Sequence, residues 1–162
     1  MAADFFLKLE GIDGESIDAE KKDHIELVSW SWGVSQSGTA HGFGGGGAGA
    51  GKASAQDFTF NMYMNKASPD LMLICATGKH IPTGELFCRK AGDGQKEFLV
   101  IKFTDLMVSA YSTGGQDGAG IPVESISLNF AKVEFDYKPQ KEDGTMGGSV
   151  KRGYNFAKNE KV

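Results

Sequence analysis

Alternating apolar residues, glycine punctuation and one capped helical stretch predict a mainly β protein, an antiparallel barrel or sandwich with a single short helix at its flank. Two-residue periodicity recurs through most of the chain, and it places side chains at i and i+2 on one face of a strand. The 162 residues include 23 glycines against 4 prolines, a balance that supplies many turns and at least one long permissive loop. The strand–helix–strand rhythm of a parallel sheet is missing, which favours antiparallel layers.

The elements follow in order. Ala3, Phe5, Leu7 and Leu9 alternate against Asp4, Lys8 and Glu10, a first strand that ends in the turn Gly11–Gly14. A polar link rich in Glu, Asp and Lys leads to a tryptophan strand between Ile25 and Ser37. There Val28, Trp30, Trp32 and Val34 occupy one parity, while Ser29, Ser31, Gly33 and Ser35 occupy the other. Both indoles therefore point one way and small hydroxyls the other. A strand face that merely meets solvent carries Lys, Glu and Thr more often, so this one suggests a smooth, uncharged wall with space in front of it.

Residues 38–54 read as a glycine-rich extended loop with no surviving periodicity. Alternation restarts at Phe58, Phe60 and Met62 against Asp57, Thr59 and Asn61. A helix is predicted at about 68–77, with Ser68 as cap, Pro69 at the first helical position and Gly78 at the close. Leu71, Ile74, Cys75 and Gly78 share one face of it, so it should dock on a sheet. Further strands are expected at about 84–91, 96–108, 123–137 and 149–157, with turns at Asp93-Gly94, Gly114-Gly115 and Asp143-Gly144.

Two of these strands carry more apolar surface than one core needs. Phe98 to Ile101 is apolar on both parities and Phe103 extends it. In 126–137 the phase slips, from Ile126, Leu128 and Phe130 to Val133, Phe135 and Tyr137. Either a bulge near Ala131-Lys132 re-aims the strand, or both faces are covered. Cover on both faces of a small barrel would come from a neighbouring copy, so self-association is expected.

Composition removes several function classes. The net charge is −4 and basic residues never exceed two together (Lys21-Lys22, Arg89-Lys90, Lys151-Arg152), which excludes the basic stripe that nucleic acid requires. Cys75 and Cys88 are the only cysteines, too few for a disulfide framework, and a reducing compartment is expected. The amino terminus lacks the cationic start and apolar run of a signal peptide, and no segment approaches the length of a membrane span. Export, if it occurs, would use a route that reads no cleavable signal.

The search for chemistry ends without a catalytic constellation. Gly46 through Lys52 fits G-x-x-x-x-G-K, yet Ala53 stands where a magnesium-binding hydroxyl is required and a strand follows instead of a helix. His24, His41 and His80 are far apart and none has a partner at ligand spacing, so no metal site is expected. Neither G-x-S-x-G nor H-E-x-x-H occurs. No cofactor is expected either. Two rivals to a structural role stay open: a carbohydrate-binding β-sandwich module stacking sugars on Trp30 and Trp32, and a small hydrolase using His41 or His80 with a nearby acid. Indoles on one strand face are more often core anchors, because each buries a large area.

Taken together, S-W-S-W-G-V-S-Q-S-G, the glycine arm, S-P-D-L-M-L-I-C-A-T-G-K-H and L-N-F-A-K-V-E-F-D-Y-K-P-Q form a combination that resembles the Hcp family, the hemolysin-coregulated proteins of bacterial type VI secretion. The likeness runs nearly from Met1 to Tyr154 with the motifs in the same order. It implies a small antiparallel β-barrel of two sheets with one flanking helix, and no enzyme. It further implies hexameric rings that stack into a tube inside a contractile sheath, tipped by a VgrG spike. Such rings bind small effector proteins in the lumen and protect them, and the subunit, assembled in the bacterial cytoplasm, is itself secreted. Some relatives carry a toxin fused at the carboxyl end, which is not expected after Val162. On this resemblance Ser29, Ser31 and Ser35 are the expected lumen contacts and Trp30 and Trp32 the core anchors. His41, Phe43, Gly46 and Lys52 belong to the expected ring-stacking loop. Phe98, Val100, Ile101 and Phe103 are the expected apolar contacts between neighbours in the ring.

Overall fold

The computed structural model describes residues 2–38, 51–92 and 94–162. Strands β1 (Ala3–Leu9), β2 (Ile25–Glu26), β3 (Ser29–Ser31), β4 (Val34–Gln36), β5 (Ala53–Ala55) and β6 (Phe58–Tyr63) precede helix α1 (Ala67–Thr77). Strands β7 (Ile81–Lys90), β8 (Glu97–Ser112), β9 (Val123–Tyr137), β10 (Val150–Asn155) and β11 (Glu160–Lys161) follow it. The main sheet runs β11-β10-β9-β8-β7-β1-β2, with β6 joined to β9 and β3 joined to β6, while β4 and β5 form a separate ribbon. Every strand pair is antiparallel. The mainly β, antiparallel, one-helix class read from periodicity is the class observed.

The tryptophan strand is broken into three pieces rather than continuous. The Leu27 amide donates to the Phe5 carbonyl at 3.0 Å and the Val28 amide to the Asn61 carbonyl at 2.8 Å, so the chain changes partner between two residues. It leaves β1 for β6, which no alternation pattern announces. After Ser31 it departs again into the β4–β5 ribbon, where Ser35 lies opposite Ser54.

The phase slip in β9 is real, and its irregular residue sits on the partner strand. Phe103 pairs with Val133 and Leu106 with Phe130, all four buried, although each strand's two members are three positions apart and so of opposite parity. Between them Asp105 adopts φ 55°, a left-handed conformation uncommon for a residue with a Cβ. The β8–β9 ribbon thus turns its buried side at one level on both strands. A register shift then falls between Val108 and Ala110, not at Ala131-Lys132.

Helix α1 starts one residue early and is capped differently from the expectation. Asn65 Oδ1 accepts the Ala67 amide at 2.9 Å, while Ser68 lies inside the first turn and its Oγ accepts the Asn65 amide at 3.1 Å. The closing residue is the expected one: Gly78 takes φ 70° and its amide bonds Ile74 at 3.0 Å, the left-handed C-terminal conformation that glycine adopts without strain. The face of Leu71, Ile74 and Cys75 docks against β8 and the core. Gly144 turns with positive φ as expected, but in the β8–β9 loop Gly118, not Gly114-Gly115, does so.

Between the strands lies an aromatic core. Phe103 sits 4.9 Å from Phe58 and 4.8 Å from Phe130, ring centre to ring centre. Leu7, Leu86, Ile101, Ile126 and Leu128 are fully buried around them.

Candidate functional site

Strand register assembles the serine parity into a surface far wider than one strand. Ser29 lies opposite Asn61, Asn61 opposite Ser125, and Ser125 opposite Ser112. In the next row Ser31 lies opposite Thr59, Thr59 opposite Ser127, and Ser127 opposite Ala110. Opposed residues share a face, and the intervening residues Phe58, Phe60, Met62, Ile126 and Leu128 are buried on the other. Two rows across β3, β6, β9 and β8 therefore present only small side chains, none ionisable.

The rows are internally bonded. Asn61 Nδ2 donates to Ser29 Oγ at 2.8 Å, and the Thr59 and Ser127 hydroxyls bond each other at 2.9 Å. At the border Ser109 Oγ donates to Asp57 Oδ2 at 2.5 Å. Hydroxyls that satisfy one another keep a surface wettable yet offer few fixed anchors.

The outer face of the other half of the sheet has the opposite character. Lys8 lies opposite Glu85, Glu85 opposite Lys102, and Lys102 opposite Glu134, a row of alternating sign across β1, β7, β8 and β9. Opposed charges on neighbouring strands each stabilise by about 0.2–1 kcal/mol. One face of this molecule is a charge ladder, the other a hydroxyl sheet.

The residues singled out in the sequence separate into distinct places. Ser29 and Ser31 belong to the hydroxyl rows, exposed, whereas Ser35 sits on the β4–β5 ribbon apart from them. Trp30 stacks on Phe58 at 6.0 Å and meets Phe5 edge-on at 6.1 Å. Trp32 packs against Phe130 at 6.0 Å and Phe135 at 6.5 Å. Both indoles are half-buried against the core, so the pair makes no open stacking platform. Phe98 and Val100 are half-buried, but Ile101 and Phe103 are fully buried in this chain's own core. Those last two have no surface to give to a neighbour. His41, Phe43 and Gly46 lie outside the described residues, and Lys52 is exposed just before β5.

Thr59, Asn61, Ser112, Ser125 and Ser127 were missed as site residues. Their signal was present, because the strands at 58–62 and 123–129 also carry small uncharged residues on one parity. Only the register shows that the three parities join.

His80 Nδ1 lies 2.6 Å from Asp105 Oδ1, but the two side chains are 59% and 56% exposed, open to water rather than set in a cleft. Burial pushes the Cys88 thiol up to about 12, which removes it as a nucleophile at neutral pH. Among the described residues no group of three His, Cys, Asp or Glu side chains is placed to hold a metal.

Comparison with known proteins bears on the same geometry. The family described as "Type VI secretion system effector, Hcp" matches residues 6–137. Protein hcp1 of Pseudomonas aeruginosa is 47% identical over 161 residues, covering 98% of this chain and 98% of that protein. The crystal structure of Hcp1 from Salmonella typhimurium superposes with TM-score 0.83 at 40% identity, covering 100% of both chains. A type VI secretion system effector from Yersinia pestis superposes with TM-score 0.76 at 36% identity, covering 94% of this chain and 99% of that one. The family match and these relatives span most of the chain, and the chain belongs to the Hcp family of type VI secretion proteins.

Proposed function

We propose that the chain is the repeating subunit of a type VI secretion tube, closing into hexameric rings that stack, with the hydroxyl rows facing the bore. The observation that carries this reading is the contrast between the two outer faces. A conduit needs an inner wall that neither traps nor repels what moves along it. Eight small uncharged positions across four strands meet that need, and the alternating charges of the other face suit contact with a surrounding sheath. In this reading the rings also hold small effector proteins against Ser29, Ser31 and their neighbours before export. In this reading its partners are a VgrG spike and a contractile sheath. Assembly takes place in the bacterial cytoplasm, and export proceeds through the apparatus without a cleaved signal peptide.

Ser31→Lys and Ser125→Lys test the wall directly. Each adds bulk and charge to the hydroxyl face and to nothing else. The expected outcome is an unchanged native mass, rings with open centres in electron micrographs, and at least tenfold weaker retention of co-purified effector. Effector retention equal to that of the unaltered protein would count against this face as the cargo wall.

A further inference from the structure

Exposed apolar side chains occur at several places among the described residues: beside β2, on β4, around β10, on α1 at Met72 and Leu73, and where the end of β6 meets the start of β9. The last group continues the hydroxyl face. Tyr63 lies opposite Val123, two positions beyond the Asn61–Ser125 pair on both strands, so the pair keeps the same parity about 7 Å further along. Tyr63 is 58% exposed and Val123 49% exposed. The wall of small hydroxyls therefore ends, at this rim, in an aromatic ring and an isopropyl group.

The rim is held in place by its backbone. The Met64 amide donates to the Pro122 carbonyl at 2.9 Å, which closes the β8–β9 loop onto the end of β6. Asn65 Nδ2 donates to the Tyr63 carbonyl at 2.8 Å. Tyr63, Met64 and Ile121, the last 65% exposed, border a concavity of about 200 Å³ that Glu15 and Glu26 also line. That volume is below the roughly 300–1,000 Å³ of a small-molecule pocket and suits a single large side chain. Both glutamates are exposed, and among the described residues neither is in an ion pair. No described Lys or Arg borders the concavity.

We propose that this rim binds exported cargo through a large apolar side chain flanked by lysine or arginine, with the apolar group seated between Tyr63 and Ile121 and the cation facing Glu15 and Glu26. Apolar area left in water on an ordered backbone favours a partner that covers it. The unpaired carboxylates decide the sign of that partner's charge, attracting a basic segment and repelling an acidic one. The inference rests on the reading of the hydroxyl rows as a bore and adds the anchor those rows lack. Repeated in every copy of a ring, the rim sets weak single contacts around one opening, where they act together on one cargo molecule.

The probes are three fluorescein-labelled peptides, Leu-Lys-Phe-Lys-Leu, Leu-Glu-Phe-Glu-Leu and Ser-Lys-Ser-Lys-Ser, titrated into the assembled protein and read by anisotropy. The first should bind more tightly than either of the others by about tenfold or more. Tyr63→Ser and Ile121→Ser, both at exposed positions, should each weaken it by about tenfold, with native mass and circular dichroism matching the unaltered protein. Glu15→Gln combined with Glu26→Gln should narrow the gap between the first two peptides and flatten the salt dependence of the first. Binding of either other peptide equal to that of the first, or no loss in the serine variants, overturns the rim as a cargo anchor. Serine variants that stop rings from stacking in sedimentation yet bind the first peptide as before also overturn it, and make the patch a contact between rings. The bore reading is judged apart, by native mass and by effector retention in Ser31→Lys, so it stands or falls without the peptides. An unaltered protein that stays at 17.3 kDa overturns the rim and the ring reading together.

Discussion

Arg89 is 1% exposed, and its charge is tolerable only because of what surrounds it. Asp18 takes both terminal nitrogens and the Phe6 ring lies 4.6 Å from the guanidinium carbon. A buried cation without its partner is strongly destabilising, and the pairing with Asp18 ties the 13–24 link to β7. The Arg89 hydrogen bond holds the Asp18 carboxyl well below its ordinary 3.8; burial opposes it, and the Glu20 and Lys21 amides add to it. A carboxyl whose pKa is depressed in the folded state stabilises above its unfolded pKa and loses that contribution as pH falls below it. Asp18→Asn should therefore lower the urea midpoint clearly at pH 7 and less at pH 3. Equal losses at both pH values would show that the ion pair is not the source. The pairing of Asp18 with Arg89, separated by 71 positions, leaves no local pattern in the sequence.

The helix is held at its foot by a buried carboxylate. Ser68 Oγ donates to Glu124 Oε1 at 2.5 Å and the Tyr111 hydroxyl donates to Oε2, which ties α1 to β8 and β9. Burial alone would raise the Glu124 pKa, but hydrogen bonds from Ser68, Thr113 and Tyr111 together outweigh it and hold the group below 4.5. Ser68→Ala removes one of these donors from a buried charge, and the expected loss is about 1–3 kcal/mol at pH 7. That loss should shrink as pH falls below about 4, where the carboxyl gains its proton in the unfolded state. Thermal denaturation of the variant at pH 7 and pH 3.5 checks both the size and the trend. The helix itself was legible, since Pro69, Leu71, Ile74, Cys75 and Gly78 mark its turns and its buried face. Its cap was not legible, because Asn65 and Ser68 can both cap and the choice depends on Glu124, 56 residues beyond Ser68.

For the whole molecule the balance of charge matters beyond any one pair. Each copy carries −4, so stacked rings of the proposed tube repel one another over about 8–10 Å near physiological salt. Rings alone should therefore stack weakly at low ionic strength, and added salt should lengthen the stacks. Sedimentation velocity across a salt series measures this. Long tubes at the lowest salt, without any partner protein, would contradict it.

Alternation, turns and glycine content were enough to establish a mainly β chain with one helix, because side-chain parity is a local property of the backbone. The same parity marked Ser29 and Ser31 against Trp30 and Trp32, one strand at a time. What only the tertiary structure decided was register. It joined Ser31 to Thr59, Ser127 and Ala110 in one row, and it sent Ser35 to a separate ribbon. It also buried Ile101 and Phe103 while leaving Ile17 in water. Register and face depend on contacts between residues many positions apart, and a single chain of letters records no distance between them.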